Sequence, residues 1–153
     1  MFQTPRALFR TLAFAEAVSW TLLIAGLITR AVTGWEPAVA IGGSIHGFVF
    51  LSYGATAILV AKNQRWGIGV TLVALFSAII PYATIPTEIW VNRSGRLAGE
   101  WRTTPTADAR DARWHDRAFR FLITHPVLTG VAMLAAVVLL YVVLLILGPP
   151  VKR

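Results

Sequence analysis

Leu8 to Arg30 reads LFRTLAFAEAVSWTLLIAGLITR, and Ala38 to Ala61 reads AVAIGGSIHGFVFLSYGATAILVA. Each is near the ~20 predominantly apolar residues that cross ~30 Å of hydrocarbon as a helix. Two further stretches, residues 66–90 and 126–148, have the same character. The pattern therefore predicts an all-α fold, a polytopic transmembrane four-helix bundle. Inside the first two stretches lie Glu16 and His46, where an ionisable side chain costs several kcal/mol unless paired, hydrated or neutralised. The pair is read as either a site or an internal strut.

Composition points the same way. Of 153 residues 56% are hydrophobic and 14% charged, and mean hydropathy is +0.66. A soluble domain carries roughly 25% charged residues. The chain is thus expected to be an integral membrane protein whose partners are membrane lipids and either other membrane subunits or itself. The net charge of +7 falls mostly between and outside the apolar stretches, which suits lipid headgroups. With no basic face carrying interleaved aromatics, no nucleic acid is expected. Zero cysteines exclude disulfides and thiolate chemistry. The first stretch follows Arg6 and Arg10 but is too long for a signal-peptide core of about 7–15 residues, and Glu16 interrupts it, so it is expected to be retained.

The connectors divide the chain into a three-span core over 1–96, a polar loop over 97–125, and a last span with a basic tail over 126–153. Short turns at 31–37 and 62–65 make their neighbours antiparallel. Within the long loop, Thr106 to Phe121 reads as an amphipathic interfacial helix, with Asp108, Asp111 and Asp116 spaced to pair with Arg110, Arg113 and Arg117 along one surface, and with Trp114, Phe119 and Phe121 for apolar contact. Pro126 then suits the first turn of the last span. Four spans put both termini on one side. A literal count of positive residues, six on that side and eight opposite, leans towards termini outside.

At 1.5 Å rise per residue, Glu16 and His46 each lie ~12 Å into their spans from opposite faces, so their levels differ by only ~6 Å. They are expected to meet directly or through a water. Ser19 and Trp20 share the face of Glu16, and Tyr53 and Ser77 extend a supporting polar layer. Gly43, Gly47 and Gly54 form a stripe expected to bring helix backbones together. Pro81 and Pro86 each remove a donor, so the third span must kink or break there. Glu88 is expected at the interface, pairing a nearby arginine.

Phe9-Arg10, Ala13, Glu16-Ala17, Ser19-Trp20, Gly42, His46-Gly47, Tyr53, Arg65-Trp66, Pro81-Tyr82, Glu88 and Trp90, in that order, resemble the bacterial integral membrane family called domain of unknown function 3817, whose hallmark is the His-Gly pair. The resemblance covers roughly residues 7–96, and Ala83 stands where the family usually has glycine. It implies a small multi-pass bundle of the bacterial inner (cell) membrane, sometimes fused to or beside other membrane components, and brings no established activity.

Two functions remain open. One is a non-catalytic accessory subunit or small homo-oligomer on a larger membrane complex, with Glu16 and His46 as a buried strut. The alternative is a small transporter or proton-coupled binding protein using that pair. No metal or cofactor is expected, because neither His115 nor His125 matches the depth of His46. No enzyme is expected, because nothing in the sequence activates a nucleophile.

Overall fold

The computed structural model describes residues 4–105 and 108–147. Among these there are six α-helices and no strand: α1 (Pro5–Thr33), α2 (Pro37–Gln64), α3 (Ile68–Ser77), α4 (Thr84–Arg93), α5 (Trp114–Thr124) and α6 (Pro126–Leu147), with a 3-10 turn at Ala109–Ala112. Helices α1, α2 and α6 are long and apolar enough to cross a membrane.

Local chemistry sets the ends of α1 and α2. Thr4 accepts a hydrogen bond from the Ala7 amide at 3.1 Å ahead of Pro5, a side-chain cap followed by proline at the first helical position. Gly34, at φ +72°, ends α1 in the left-handed conformation that glycine adopts without a Cβ penalty. The two helices pack along much of their length. Their closest approach is at Gly26 and Gly42, where an added Cβ would stand 2.5 Å from the Ala38 carbonyl oxygen and 2.6 Å from that of Leu22. Gly42 therefore takes the role expected of the Gly43, Gly47 and Gly54 stripe. Gly43 meets only the end of the Leu23 side chain, Gly47 faces the Tyr141 ring, and Gly54 has nothing within 4 Å of a built Cβ. The expected stripe lies on a face one residue, about 100°, away from the contact.

The third expected span is instead two short helices. α3 has 10 residues, only about 15 Å of rise. Its last carbonyls are consumed locally: Leu75, Phe76 and Ser77 accept from the amides of Ala78, Ile79 and Ile80 in tight turns, and Ala74 accepts from the hydroxyls of Ser77 and Tyr53. Pro81 cannot continue a helix, and Tyr82 turns the chain at φ +64°. Pro86 has the opposite effect, falling in the first turn of α4, where its missing donor costs nothing. α4 then runs back. The Trp66 indole at the start of α3 donates to the Arg96 carbonyl just beyond α4 at 2.9 Å, so the outer ends of α3 and α4 lie together. The two form a helical hairpin whose tip reaches partway along α1.

The start of α1, the end of α2 and both outer ends of the hairpin share one end of the molecule, packed around Phe9, Val60, Val91, Leu97 and Trp66. α6 begins at this end too, since Pro126 lines a groove with Leu8 and Leu59, and it runs antiparallel to α2 until Tyr141 stands beside Gly47. Among the described residues its helix contacts are with α2 and α5, leaving an apolar groove of about 690 Å³ against α1. With the hairpin returning to its starting end, the first residue of α1 and the last of α6 lie at opposite ends, which replaces the expectation of both termini on one side.

The amphipathic helix begins later than the sequence pattern predicts. Thr106 and Ala107 lie outside the described residues, the 3-10 turn follows, and α5 starts at Trp114. Asp111 and Asp116 pair with Arg65 and Lys62 at the end of α2 as well as with Arg120 and His115 nearby. The expected pairs with Arg113 and Arg117 are absent from the ion pairs among the described residues, and the Arg110 side chain is not among those described. Phe119 is buried beneath the Arg102 guanidinium, while Trp114 and Phe121 are exposed.

Candidate functional site

Glu16, Ser19 and His46 meet in the seam between α1 and α2. Glu16 has no exposed surface and Ser19 has 1%. The imidazole Nδ1 of His46 lies 2.9 Å from the Ser19 hydroxyl but 3.8 Å from Glu16 Oε1, while the Ser19 hydroxyl is 3.1 Å from Glu16 Oε2. The serine, read from the sequence only as part of a supporting layer, is the bridge. It has one proton to give and two lone pairs. Both bonds are made at once when His46 Nδ1–H donates to Ser19 and Ser19 donates to the carboxylate, although the same hydroxyl also lies 2.8 Å from the Glu16 backbone carbonyl, which competes for its proton. With the proton on the other imidazole nitrogen, Ser19 donates to His46 and keeps its contact with the Glu16 side chain only when a protonated carboxyl donates to it. Glu16 Oε1 accepts no hydrogen bond from the described residues.

The aromatic neighbours of this trio are Trp20, whose ring centroid lies 4.3 Å from that of His46, and Phe50, whose centroid lies 6.1 Å from it. Trp20 also donates its indole N–H to the Ala78 carbonyl at 3.2 Å, one of the carbonyls released where α3 ends. Tyr53 reaches the same region, lying 3.0 Å from Ala74 O and 3.1 Å from Ser77 Oγ. Thr84, which the sequence reading passed over, donates to Ala13 O at 2.9 Å and docks the start of α4 onto α1. Trp20 of α1 and Tyr53 of α2 thus donate to carbonyls freed by the break, and Thr84 donates back to α1, satisfying the requirement that buried polar groups find partners where no water competes.

Glu88 is not at the surface. It is buried on the face of α4 that also carries Thr84, Thr87 and Val91, and its Oε1 accepts no hydrogen bond from the described residues. The arginine pairing expected from sequence is absent from the ion pairs among the described residues. Helix phase explains it: Glu88 follows Thr84 by four positions and so shares its inward face.

A second polar assembly occupies the end of the bundle where α2 stops. Arg102 donates from Nε and Nη2 to the carbonyls of Asn63 and Lys62 at 2.7 and 2.8 Å, a cation completing a helix C-terminus. Its Nη1 binds Asp111 at 2.9 Å. Arg65 bridges Asp108 and Asp111, and Lys62 binds Asp116 at 3.1 Å. Burial pushes the Asp116 carboxyl up, but Lys62, Arg102 and His115 outweigh it and hold the group below the usual carboxylate range. Among the described residues no three His, Asp or Glu side chains converge as metal ligands.

The comparisons agree with a membrane protein of unknown function. A protein of Streptomyces coelicolor described as "Putative membrane protein SCO5905" is 38% identical over 102 residues, which cover 65% of this chain and 12% of that protein. The chain thus spans about an eighth of the length of that curated relative. No solved structure matches. Residues 6–93, from the first turn of α1 to the last residue of α4, match the family described as Domain of unknown function (DUF3817). That segment contains the whole Glu16–Ser19–His46 trio and the hairpin that docks beside it, and the chain belongs to this family.

Proposed function

We propose that the protein is a non-catalytic component of the bacterial cell membrane, an accessory module that packs on a larger membrane protein or on a second copy, with Glu16, Ser19 and His46 pinning α1 and α2 in register. The single observation that carries this reading is the Ser19 bridge, which uses the polar groups of both helices on each other inside a seam closed by Trp20 and Phe50. In hydrocarbon such a contact specifies one rotational setting of two helices, because other settings leave a carboxyl and an imidazole facing lipid. The relative in which the matched region is a small part of a much longer polypeptide supports a module serving a larger assembly. So does the sparse packing of α6, most of whose surface is free to meet another helix.

In this reading α1, α2 and α6 cross the membrane and the α3–α4 hairpin enters and leaves on one side. Of the fourteen Lys and Arg residues, eleven then lie at the basic end and Arg30 at the opposite one, while Lys152 and Arg153 lie outside the described residues. The positive-inside rule places the basic end, with the start of α1, in the cytoplasm. This reverses the lean obtained when residues 66–90 are counted as a crossing.

The test is purification from native membranes in mild detergent, read by native mass. Recovery with a larger partner or as a defined oligomer is expected, and Glu16→Gln, which keeps an acceptor for Ser19, retains that assembly. A monomer with no companion, or proton-coupled uptake in liposomes that disappears in Glu16→Gln, would favour the transport alternative.

A further inference from the structure

The basic end carries a cleft that the seam does not explain. It has a volume of about 350 Å³ and lies between the end of α2, the start of α3 and the start of α5. Lys62, Arg65 and Arg113 line it together with His115, and Asp116 is the sole carboxylate in the lining. Trp66 and Thr71 complete the wall on the α3 side. The volume sits at the lower end of the range, about 300–1,000 Å³, found for small-ligand sites.

The charge of this lining is not cancelled by its surroundings. Arg65 is matched by Asp108 and Asp111, and Asp111 also holds Arg102 and Arg120. Counting these neighbours on both sides still leaves the cations ahead, with Arg113 at the exposed rim. Lys62 stands 2.7 Å from His115 Nδ1 and 3.1 Å from Asp116, so its ammonium is fixed in the cleft while 34% of the side chain stays exposed.

What lies beside the cleft selects the ligand class. Directly along α3 from Thr71, Ile68 and Leu72 are 75% and 42% exposed, an apolar track that leads from the charged cleft along the flank of the bundle. A molecule with an anionic head and hydrocarbon tails satisfies both surfaces, whereas a soluble anion uses only the first. Basic pockets beside membrane helices on the cytoplasmic side are suited to acidic lipid headgroups, and Trp66 belongs at that level of a bilayer.

We propose that this cleft binds the phosphate group of an acidic phospholipid, with Lys62, Arg65 and Arg113 around the headgroup and the acyl chains along the exposed face of α3. The site is independent of the Glu16–Ser19–His46 trio and of the accessory role, and rests on the proposed topology only for its placement at the cytoplasmic headgroups.

The experiment uses the full chain in mild detergent. Native mass spectrometry reads retention of phosphatidylglycerol against phosphatidylcholine with the same acyl chains, with inorganic phosphate as competitor. Preferential retention of phosphatidylglycerol is expected, falling about fivefold in Arg113→Gln, whose side chain lies at the surface so that folding is preserved. Lys62→Gln gives a second reading at the cleft floor, with helical content checked by circular dichroism. Equal retention of the two lipids, or undiminished phosphatidylglycerol retention in Arg113→Gln, would overturn the proposal. Displacement of the lipid by millimolar inorganic phosphate would assign the cleft to a soluble phosphate and overturn the membrane source.

Discussion

The seam between α1 and α2 and the charged belt at the end of α2 both join elements through polar side chains, yet they are built on different plans. In the seam a carboxyl, a hydroxyl and an imidazole form one chain of bonds, the backbones nearly touch at Gly26 and Gly42, and the surrounding groups are aromatic. At the belt, cations outnumber acids, Asp111 and Asp116 each serve more than one partner, and several side chains remain partly exposed. The difference follows the medium. Where lipid excludes water the few polar groups rely on one another, and of the buried side-chain atoms in the seam only Glu16 Oε1 is left without a hydrogen bond from the described residues, while redundant ion pairs at a polar end tolerate incomplete matching because water and lipid phosphate supply the remainder.

The largest break in this contrast comes from backbone contact. Gly42→Val places its Cβ against the Leu22 carbonyl oxygen at 2.6 Å, and it is expected to cost about 3 kcal/mol or more, read as a collapse of the thermal midpoint in detergent. Gly54→Ala, with open space around the built Cβ, should move the midpoint by less than about 0.5 kcal/mol. Comparable losses in the two variants would show that the close approach is misplaced.

A smaller effect is expected from Ser19→Ala, which leaves Glu16 and His46 too far apart to bond directly. The loss should be about 1 kcal/mol and should be the same in low and high salt, since the groups are sealed from ions. Salt-dependent destabilisation would mean that solvent enters the seam.

The smallest effect belongs to the belt and carries a pH signature. Because Lys62, Arg102 and His115 hold the native Asp116 carboxyl below its ordinary value, its pairing contributes fully above about pH 4. The contribution drains away as pH falls through the lowered native value. Proteolytic release of α5 on acidification should follow this course, should be flattened by Asp116→Asn, and should be hastened in 1 M salt, where screening acts within about 3 Å. An acid response unchanged by Asp116→Asn would remove that residue from the clasp.

Depth and periodicity were enough to read the meeting of Glu16 with His46, because rise per residue and bilayer thickness leave them little room to miss. The bridging part played by Ser19 was not legible, since it depends on less than 1 Å between two competing distances. Pro81 and Pro86 marked the break in the third hydrophobic stretch, but local composition does not say whether a broken helix resumes its course or doubles back. The near-equal division of positive residues under a four-crossing count was an available signal. Folding the stretch back turns that division into a strong asymmetry, through Arg93, Arg96 and the arginines beyond. Glu88 was misread because Trp90 and Arg93 nearby have surface character, whereas its own phase is set by Thr84 and Val91.

In the proposed topology the hairpin's return also sets compartment. With three crossings and the basic end in the cytoplasm, a polypeptide joined ahead of α1 would reside with the ribosomes, and one joined after α6 would be delivered across the barrier. A fused domain at one end therefore meets different enzymes, redox conditions and proteases from a domain at the other, although only a short helical bundle separates them.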